Sequence, residues 1–386
     1  MRIAICAWES LHSIAVGGLA VHVTELAAGL ERAGHEVHVF TRRGPLQHAY
    51  ERIYGVHYHR VAHALHQDFV AEILDMNRAL INAVWQTEDY LHVEFDVVHC
   101  HDWLTAPAGE WAKKGRGRRF VLTMHSTDYG RNGNNFYEGR SRQIRDLEWR
   151  ASYEAAKIIT VSGALRDEMA WIYQVPREKM SIIYNGVSYH HFDGPFDPGP
   201  LKMQIGIGPW EPMVLFSGRM TQQKGPDILM ETLPELRGAN PKARYVFMGD
   251  GDMRWRLQQR AKELRVDDIC RFVGHRTGGG LVEMFQAADV VAVPSRNEPF
   301  GLVILEAWSA GKPVVATNHG GPNEFVWHGV TGLKTVPKVP ELTGSMAELL
   351  SDWDRARWMG QNGRAAVERG FTWDRIAAET LNVYRG

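Results

Sequence analysis

The chain has 386 residues, 44 Lys+Arg against 45 Asp+Glu, three cysteines, and 44% hydrophobic and 23% charged residues. That length accommodates about two or three domains, and a formal net charge of −1 lacks the basic excess that the phosphate contacts of a nucleic-acid binder require. Cys6, Cys100 and Cys270 are too sparse for a disulfide framework and too far apart for a Cys-x-x-Cys metal site, so a reducing, cytoplasmic compartment is expected. The N-terminal apolar run, broken by Glu9, is too short for a signal-peptide core. Nowhere do about 18 apolar residues run together, which excludes a spanning helix.

Strands and helices alternate along almost the whole chain. Residues 3–8 read as a first strand. Gly17 and Gly18 then open a helix whose Leu19, Val23, Leu26, Ala27 and Leu30 share one face, and Gly34 ends it. Further strands are expected at 37–40, 56–61, 96–99, 120–123, 158–161 and 181–184. Helices are expected near 68–90, 105–114, 138–156 and 163–173, the last capped by Ser162. Such alternation implies a parallel sheet with helices on both faces. From 193 to 200 the chain reads Asp-Gly-Pro-Phe-Asp-Pro-Gly-Pro, a density of breakers expected to form a hinge linker without helix. The alternation restarts with strands at 213–216, 243–248, 269–273, 289–293 and 313–317. The expected fold is therefore α/β, two Rossmann-like doubly wound domains over 1–195 and 206–370. Their strand C-terminal ends would flank a cleft, where open α/β sheets bind ligands.

The richest cluster lies between 217 and 324. Ser217-Gly218-Arg219 follows a strand and Lys224-Gly225-Pro226 precedes a helix. A helix N-terminus with two converging cations is an anion site. Each cation–phosphate contact at about 4 Å is worth roughly 4 kcal/mol at an effective dielectric near 20, against about 1 in bulk water. Glu298-Pro-Phe300-Gly301-Leu302 and Glu306 follow, two carboxylates with seven residues between them. Gly301 opens the helix that carries Glu306, which puts Glu298 in the loop before it and Glu306 about two turns along; about 12 Å of rise would separate them if the whole segment were helical. Retaining glycosidases hold their carboxyl pair about 5–5.5 Å apart, so these two are expected to grip different parts of one long ligand.

In this order the motifs resemble the retaining, family-four nucleotide-sugar glycosyltransferases of the GT-B fold. The most specific are Ser-Gly-Arg…Lys-Gly at 217–225, Gly249-Asp250-Gly251, and Glu298-x7-Glu306 with Pro-Val-Val-Ala-Thr after it. Gly17-Gly18, His101-Asp102-Trp103, Thr123-x-His125 and Tyr184-Asn185-Gly186 support them. The resemblance implies that Arg219 and Lys224, flanked by Gly218, hold the diphosphate, and that Glu306 accepts the ribose hydroxyls. It places Glu298 beside the transferred hexose, with the backbone of Phe300, Gly301 and Leu302 near sugar and phosphate. Gly17 and Gly18 match a loop that approaches the sugar phosphate, and His125 matches a histidine facing the sugar; Asp102 and Arg131 join the substrate-binding set. The fold would end in a C-terminal helix, 371–386, that crosses back to the first domain. No cofactor and no metal are expected, and the partners would be a nucleotide diphosphate sugar and a carbohydrate acceptor. The reaction implied is retaining, with same-face attack and the leaving phosphate oxygen taking the acceptor's proton.

His125-Ser-Thr-x-x-Gly-Arg131 is similar to a segment of glycogen synthases, and Glu298-Pro-Phe-Gly looks closer to glucosyl- than to mannosyltransferases. Ala15 stands where bacterial glycogen synthases carry Lys before their Gly-Gly. Glucose transfer to a glucan or other sugar is the expectation, with a hexose phosphate or glycerate as alternative acceptors and a nucleotide-sugar 2-epimerase as the rival enzyme. Asp250-Gly-Asp252 is read as a turn rather than a metal motif, and His99-Cys100-His101-Asp102 as structural or cleft-lining rather than a zinc site. The basic run at 113–119 is read as a solvated turn, with contact to an anionic membrane as its sharper alternative. Trp353, Trp358 and Trp373 are read as helix packing.

Overall fold

The computed structural model describes all 386 residues, which divide into two compact units: Met1–Gly186 with Trp373–Gly386, and Val187–Thr372. The first unit holds eight strands: β1 (Arg2–Cys6), β2 (Glu36–Arg42), β3 (Tyr50–Ile53), β4 (Val56–Val61), β5 (Val97–His101), β6 (Arg119–Met124), β7 (Lys157–Thr160) and β8 (Met180–Ile182). They form one sheet ordered β3-β4-β2-β1-β5-β6-β7-β8. Every neighbouring pair is parallel except β3 and β4. The central β5 is buried throughout, as a strand covered by helices on both faces must be.

The edge strand β3 escaped the sequence reading. It is almost fully exposed and lacks an apolar face. Its hairpin turn is Tyr54-Gly55, both at positive φ (48° and 86°), the mirror-image geometry that two-residue hairpins favour.

The last helix, Trp373–Arg385, belongs to this first unit. It lies along the helix Gly18–Arg32, where a Cβ on Gly29 would sit 3.1 Å from both the Ala377 Cβ and the Trp373 carbonyl oxygen. Trp373 is buried, and a Cβ on Gly186 would come within 2.8 Å of its ring. Trp353 also packs, against the core of the second unit. Trp358 does not: it is 48% exposed, which corrects the packing expectation for that residue.

The second unit carries β9 (Met213–Ser217), β10 (Arg244–Met248), β11 (Cys270–Gly274), β12 (Val290–Val293), β13 (Val314–Thr317) and β14 (Gly332–Thr335). The sheet runs β11-β10-β9-β12-β13-β14 and is wholly parallel. The expected hinge is not free of helix: Pro198–Gln204 is helical and lies inside this unit. Asp197 caps it, accepting from the Gly199 N–H at 2.9 Å, and Pro198 stands at the first helical position, where its missing N–H is no loss. The basic run at 113–119 is largely neutralised within the fold. Lys113 and Lys114 pair with Glu154, Arg116 with Glu88 and Asp89, and Arg118 with Glu88 and Glu94.

Candidate active site

In the second unit the chemistry-bearing loops leave the C-terminal ends of β9, β12 and β13. The loop after β9 docks onto the loop after β10: Gly218 N–H donates to the Met248 carbonyl at 3.0 Å and Met220 N–H to the Asp250 carbonyl at 2.8 Å. A Cβ on Gly249, whose φ is 130°, would lie 2.0 Å from the Gly218 carbonyl oxygen, so only glycine permits this approach. Arg219 is exposed and forms none of the ion pairs of the fold. Lys224 ends a short 3-10 turn, Gly225 follows at φ 67°, and the helix Pro226–Ala239 begins.

Lys224 is not a free cation. Its ammonium donates to both oxygens of Glu298, at 2.9 and 2.7 Å. Ser295 donates to the same carboxylate at 2.8 Å, and Glu298 is 5% exposed. Arg296 locks the two loops together by a bidentate pair with Asp227, at 2.8 and 2.6 Å, and by a bond to the Gln222 carbonyl. Pro294-Ser295 falls within the cluster read from the sequence, but its bond to Glu298 and the Arg296–Asp227 clamp were not legible. A fork-shaped guanidinium 69 positions from its carboxylate leaves no local pattern. With Lys224 offset by Glu298, Arg219 supplies the net positive charge, so an anion meets one uncompensated guanidinium and one shared ammonium.

As the sequence predicts, Gly301 opens the helix and Glu298 lies before it, while Glu306 sits a little over one turn along rather than two. The helix runs only over Leu302–Ser309; Glu298 lies in an extended bridge with Gly320. Only four residues of helical rise, about 6 Å, separate Leu302 from Glu306. Gly301 caps the helix at φ 105°, and the Phe300 ring is buried against Phe325 and Phe371. The backbone of Phe300–Leu302 is therefore the part placed beside Glu298. Glu306 is half-buried by surface but set deep enough that desolvation pushes its carboxyl up to about 7. A cavity of about 550 Å³, lined by Pro198, Trp210, Asp289 and Arg357 among others, shares no residue with this group.

In the first unit Gly17 and Gly18 start the first helix. Glu9, 5% exposed, accepts from Val16 N–H at 2.5 Å and Gly17 N–H at 3.0 Å and so holds the turn. Asp102 sits at φ 54°, a strained position for a non-glycine residue, and accepts from the His125 N–H at 2.7 Å. Burial pushes its carboxyl up to about 6. The Arg131 guanidinium donates to Glu148 at 2.6 Å and to the Ser126 carbonyl, and Glu148 is fully buried. Burial holds His125 down to about 4 and lowers His22, His99 and His101 well below the ordinary imidazole value. His99 is structural: its two nitrogens meet Tyr384 and Thr123 hydroxyls at 2.6 and 2.7 Å.

Residues 16–190 match the family described as Glycosyltransferase Family 4, and residues 201–366 match Glycosyl transferases group 1. The chain is 37% identical to an uncharacterized glycosyltransferase of Methanocaldococcus jannaschii, covering 100% of this chain and 98% of that protein. It is 31% identical to a glycogen synthase of Mycobacterium tuberculosis, covering 100% and 94%. Among solved structures, the sucrose-phosphate synthase of Thermosynechococcus elongatus superposes with a TM-score of 0.84 at 25% identity, covering 100% of this chain and 98% of that one. The two family models together span most of the chain, and the two-sheet architecture agrees with the structural likeness: the chain belongs to the family-four glycosyltransferases of the GT-B fold.

Proposed function

We propose that this glycosyltransferase is a retaining hexosyltransferase that moves glucose from UDP- or ADP-glucose to a glucan or another sugar acceptor. The observation that carries the reading is the Lys224–Glu298–Ser295 cluster beside the unpaired Arg219. In this reading the diphosphate shares Lys224 with Glu298 and takes Arg219 outright. The bond between the glucose anomeric carbon and the phosphate oxygen breaks, and its electron pair goes to that oxygen. The acceptor hydroxyl oxygen bonds the anomeric carbon from the same face, and its proton passes to the departing phosphate. Negative charge grows on the phosphate as the bond lengthens, so cations fixed there stabilise the transition state more than the bound donor. Glu306 accepts the ribose hydroxyls and Glu298 turns its second lone pairs to the hexose. This chemistry asks for no metal.

A small phosphorylated acceptor is the second reading, favoured by the likeness to a sucrose-phosphate synthase. A donor-by-acceptor screen for nucleotide release separates them: release of UDP or ADP is expected with a glucan or neutral sugar, and release only with a hexose phosphate would select the second. Donor interconversion without any acceptor would mark an epimerase, and binding without release a carbohydrate-binding protein; either overturns the proposal.

A further inference from the structure

The cavity of about 550 Å³ in the second unit lies at the other end of the sheet from the candidate active site. Pro212, directly before β9, and Asp289, directly before β12, both line it. It therefore opens at the amino ends of these strands, whereas the loops bearing Arg219 and Glu298 leave their carboxyl ends. The two ends of β9 are about 13 Å apart. We propose that this cavity is a second, non-catalytic site that binds a neutral oligosaccharide, a glucan chain stacked on Trp210.

Trp210 is 94% exposed, yet the loop that presents it is firmly built. Gly208 N–H donates to a Glu211 carboxylate oxygen at 2.6 Å, and Glu211 N–H donates to the Gly208 carbonyl at 3.0 Å. The other Glu211 oxygen pairs with Arg244. Beneath the loop Lys202, 4% exposed, donates to the Glu211 carbonyl and to Asp289, both at 2.9 Å. A large apolar ring held out in water gives up the stabilisation that burial would bring. Bracing it in that position leaves little ordering cost when a ligand covers it.

The rest of the lining selects the ligand class. Two carboxylates, Asp197 and Asp289, face two cations, Lys202 and Arg357, a balance that suits a neutral ligand better than a phosphate or a nucleotide. One Asp289 oxygen takes both Lys202 and the Met213 N–H. The other has no bond within the fold and is an acceptor for a hydroxyl, while the Arg357 guanidinium supplies donors. Pro198, Pro209 and Trp353 add apolar wall, and Trp353 is rooted in the core of this unit. A pyranose meets both demands: its C–H face lies on the indole, and its edge hydroxyls reach the carboxylate and the guanidinium. A purely apolar ligand would bury those polar groups unpaired. The volume is that of a small-ligand site, enough for a short stretch of chain. Tethering a glucan here would raise the local concentration of its ends; that role rests on the proposed transfer to a glucan, whereas the binding does not.

Calorimetric titration of the full-length protein with maltoheptaose tests the site without turnover. The wild type is expected to bind, and Trp210→Ala to bind about tenfold more weakly, the loss of one aromatic stacking contact. Trp210→Phe should keep most of the affinity. Trp358→Ala, on the same helix as Arg357 but outside the cavity, should match the wild type. In kinetics Trp210→Ala should raise KM for a long glucan and leave KM for maltose and for UDP- or ADP-glucose unchanged. No binding by the wild type, equal affinity in Trp210→Ala, or binding of a proline-rich peptide in place of the sugar overturns the proposal. Failure to elongate any glucan would remove the proposed function and still leave the titration to decide the site; elongation with equal affinity in Trp210→Ala would remove the site alone.

Discussion

Arg219 and Lys224 do different work although both are cations on one loop. Arg219 is exposed and unpaired, whereas Lys224 is held by Glu298 at 2.7 Å and Ser295 fixes that carboxylate from behind. Arg219→Ala and Lys224→Ala should each lower kcat/KM by at least about a hundredfold, the size of effect seen when one fixed donor to a developing anion is removed. Steady-state kinetics with UDP- or ADP-glucose check this, and near-normal turnover in either variant would contradict it. Glu306 gives a pH signature. Under the proposed role its carboxyl, pushed up to about 7 by burial, accepts ribose hydroxyls best when ionised, so affinity for UDP-glucose should rise as pH goes from 6 to 8 and then level. The same group affects stability in the opposite sense. Its folded pKa exceeds the ordinary carboxyl value, so its contribution is fully present below about 4.5 and is lost as pH rises through about 7. Glu306→Gln should flatten both profiles, read by calorimetric titration and thermal melts across that range. At this scale residue types were legible in the sequence, because Arg, Lys and Glu at loop–helix junctions have few other uses together. Their pairing was not: Lys224 and Glu298 are 74 positions apart, and nothing local announces the contact.

The loops that carry these residues are held by two devices of element size. One is a glycine contact. Gly320 has φ 79°, and a Cβ there would lie 2.2 Å from the Glu298 carbonyl oxygen. Gly320→Ala should combine roughly 1–3 kcal/mol of backbone strain with displacement of the Glu298 loop, lowering Tm and kcat/KM together. The other is the Arg296–Asp227 clamp, whose side chains are 35% and 33% exposed. Partly exposed pairs contribute about 0–1 kcal/mol to stability, so Arg296→Ala should barely move Tm. It should lower kcat/KM about tenfold, because the Lys224 and Glu298 loops lose their common anchor. A large Tm loss with unchanged kinetics would show the clamp to be structural. The parallel strands that read as short β-branched or apolar runs were legible, whereas β14 was missed because Gly332-Leu-Lys-Thr335 makes no such run. The edge strand β3 was not legible either, since Tyr50-Glu-Arg-Ile53 has no apolar face. The helix Pro198–Gln204 was hidden for a related reason: proline and glycine were read as breakers, while Asp197-Pro198 is equally a helix start.

Over the whole molecule, each unit builds its own core around its own sheet, and the chain returns to the first at Trp373. Trp373, Ile376, Leu381 and Tyr384 are all at most 5% exposed. Burial of side chains this large stabilises by roughly 1.5–3 kcal/mol each. A chain ending at Thr372 should therefore melt its first unit well below the full-length protein, read by calorimetry, with dye-binding apolar surface exposed. The alternation of strand and helix made two α/β units legible, and the returning helix was expected only from the family resemblance. Which sugar is transferred lies beyond any such pattern, because recognition of hydroxyls depends on atoms brought together from distant loops. The most direct test of the central claim follows the anomeric proton by NMR during turnover with UDP- or ADP-α-glucose and a glucan or sugar acceptor. The account predicts an α-linked product formed in step with nucleotide release; a β-linked product would contradict it.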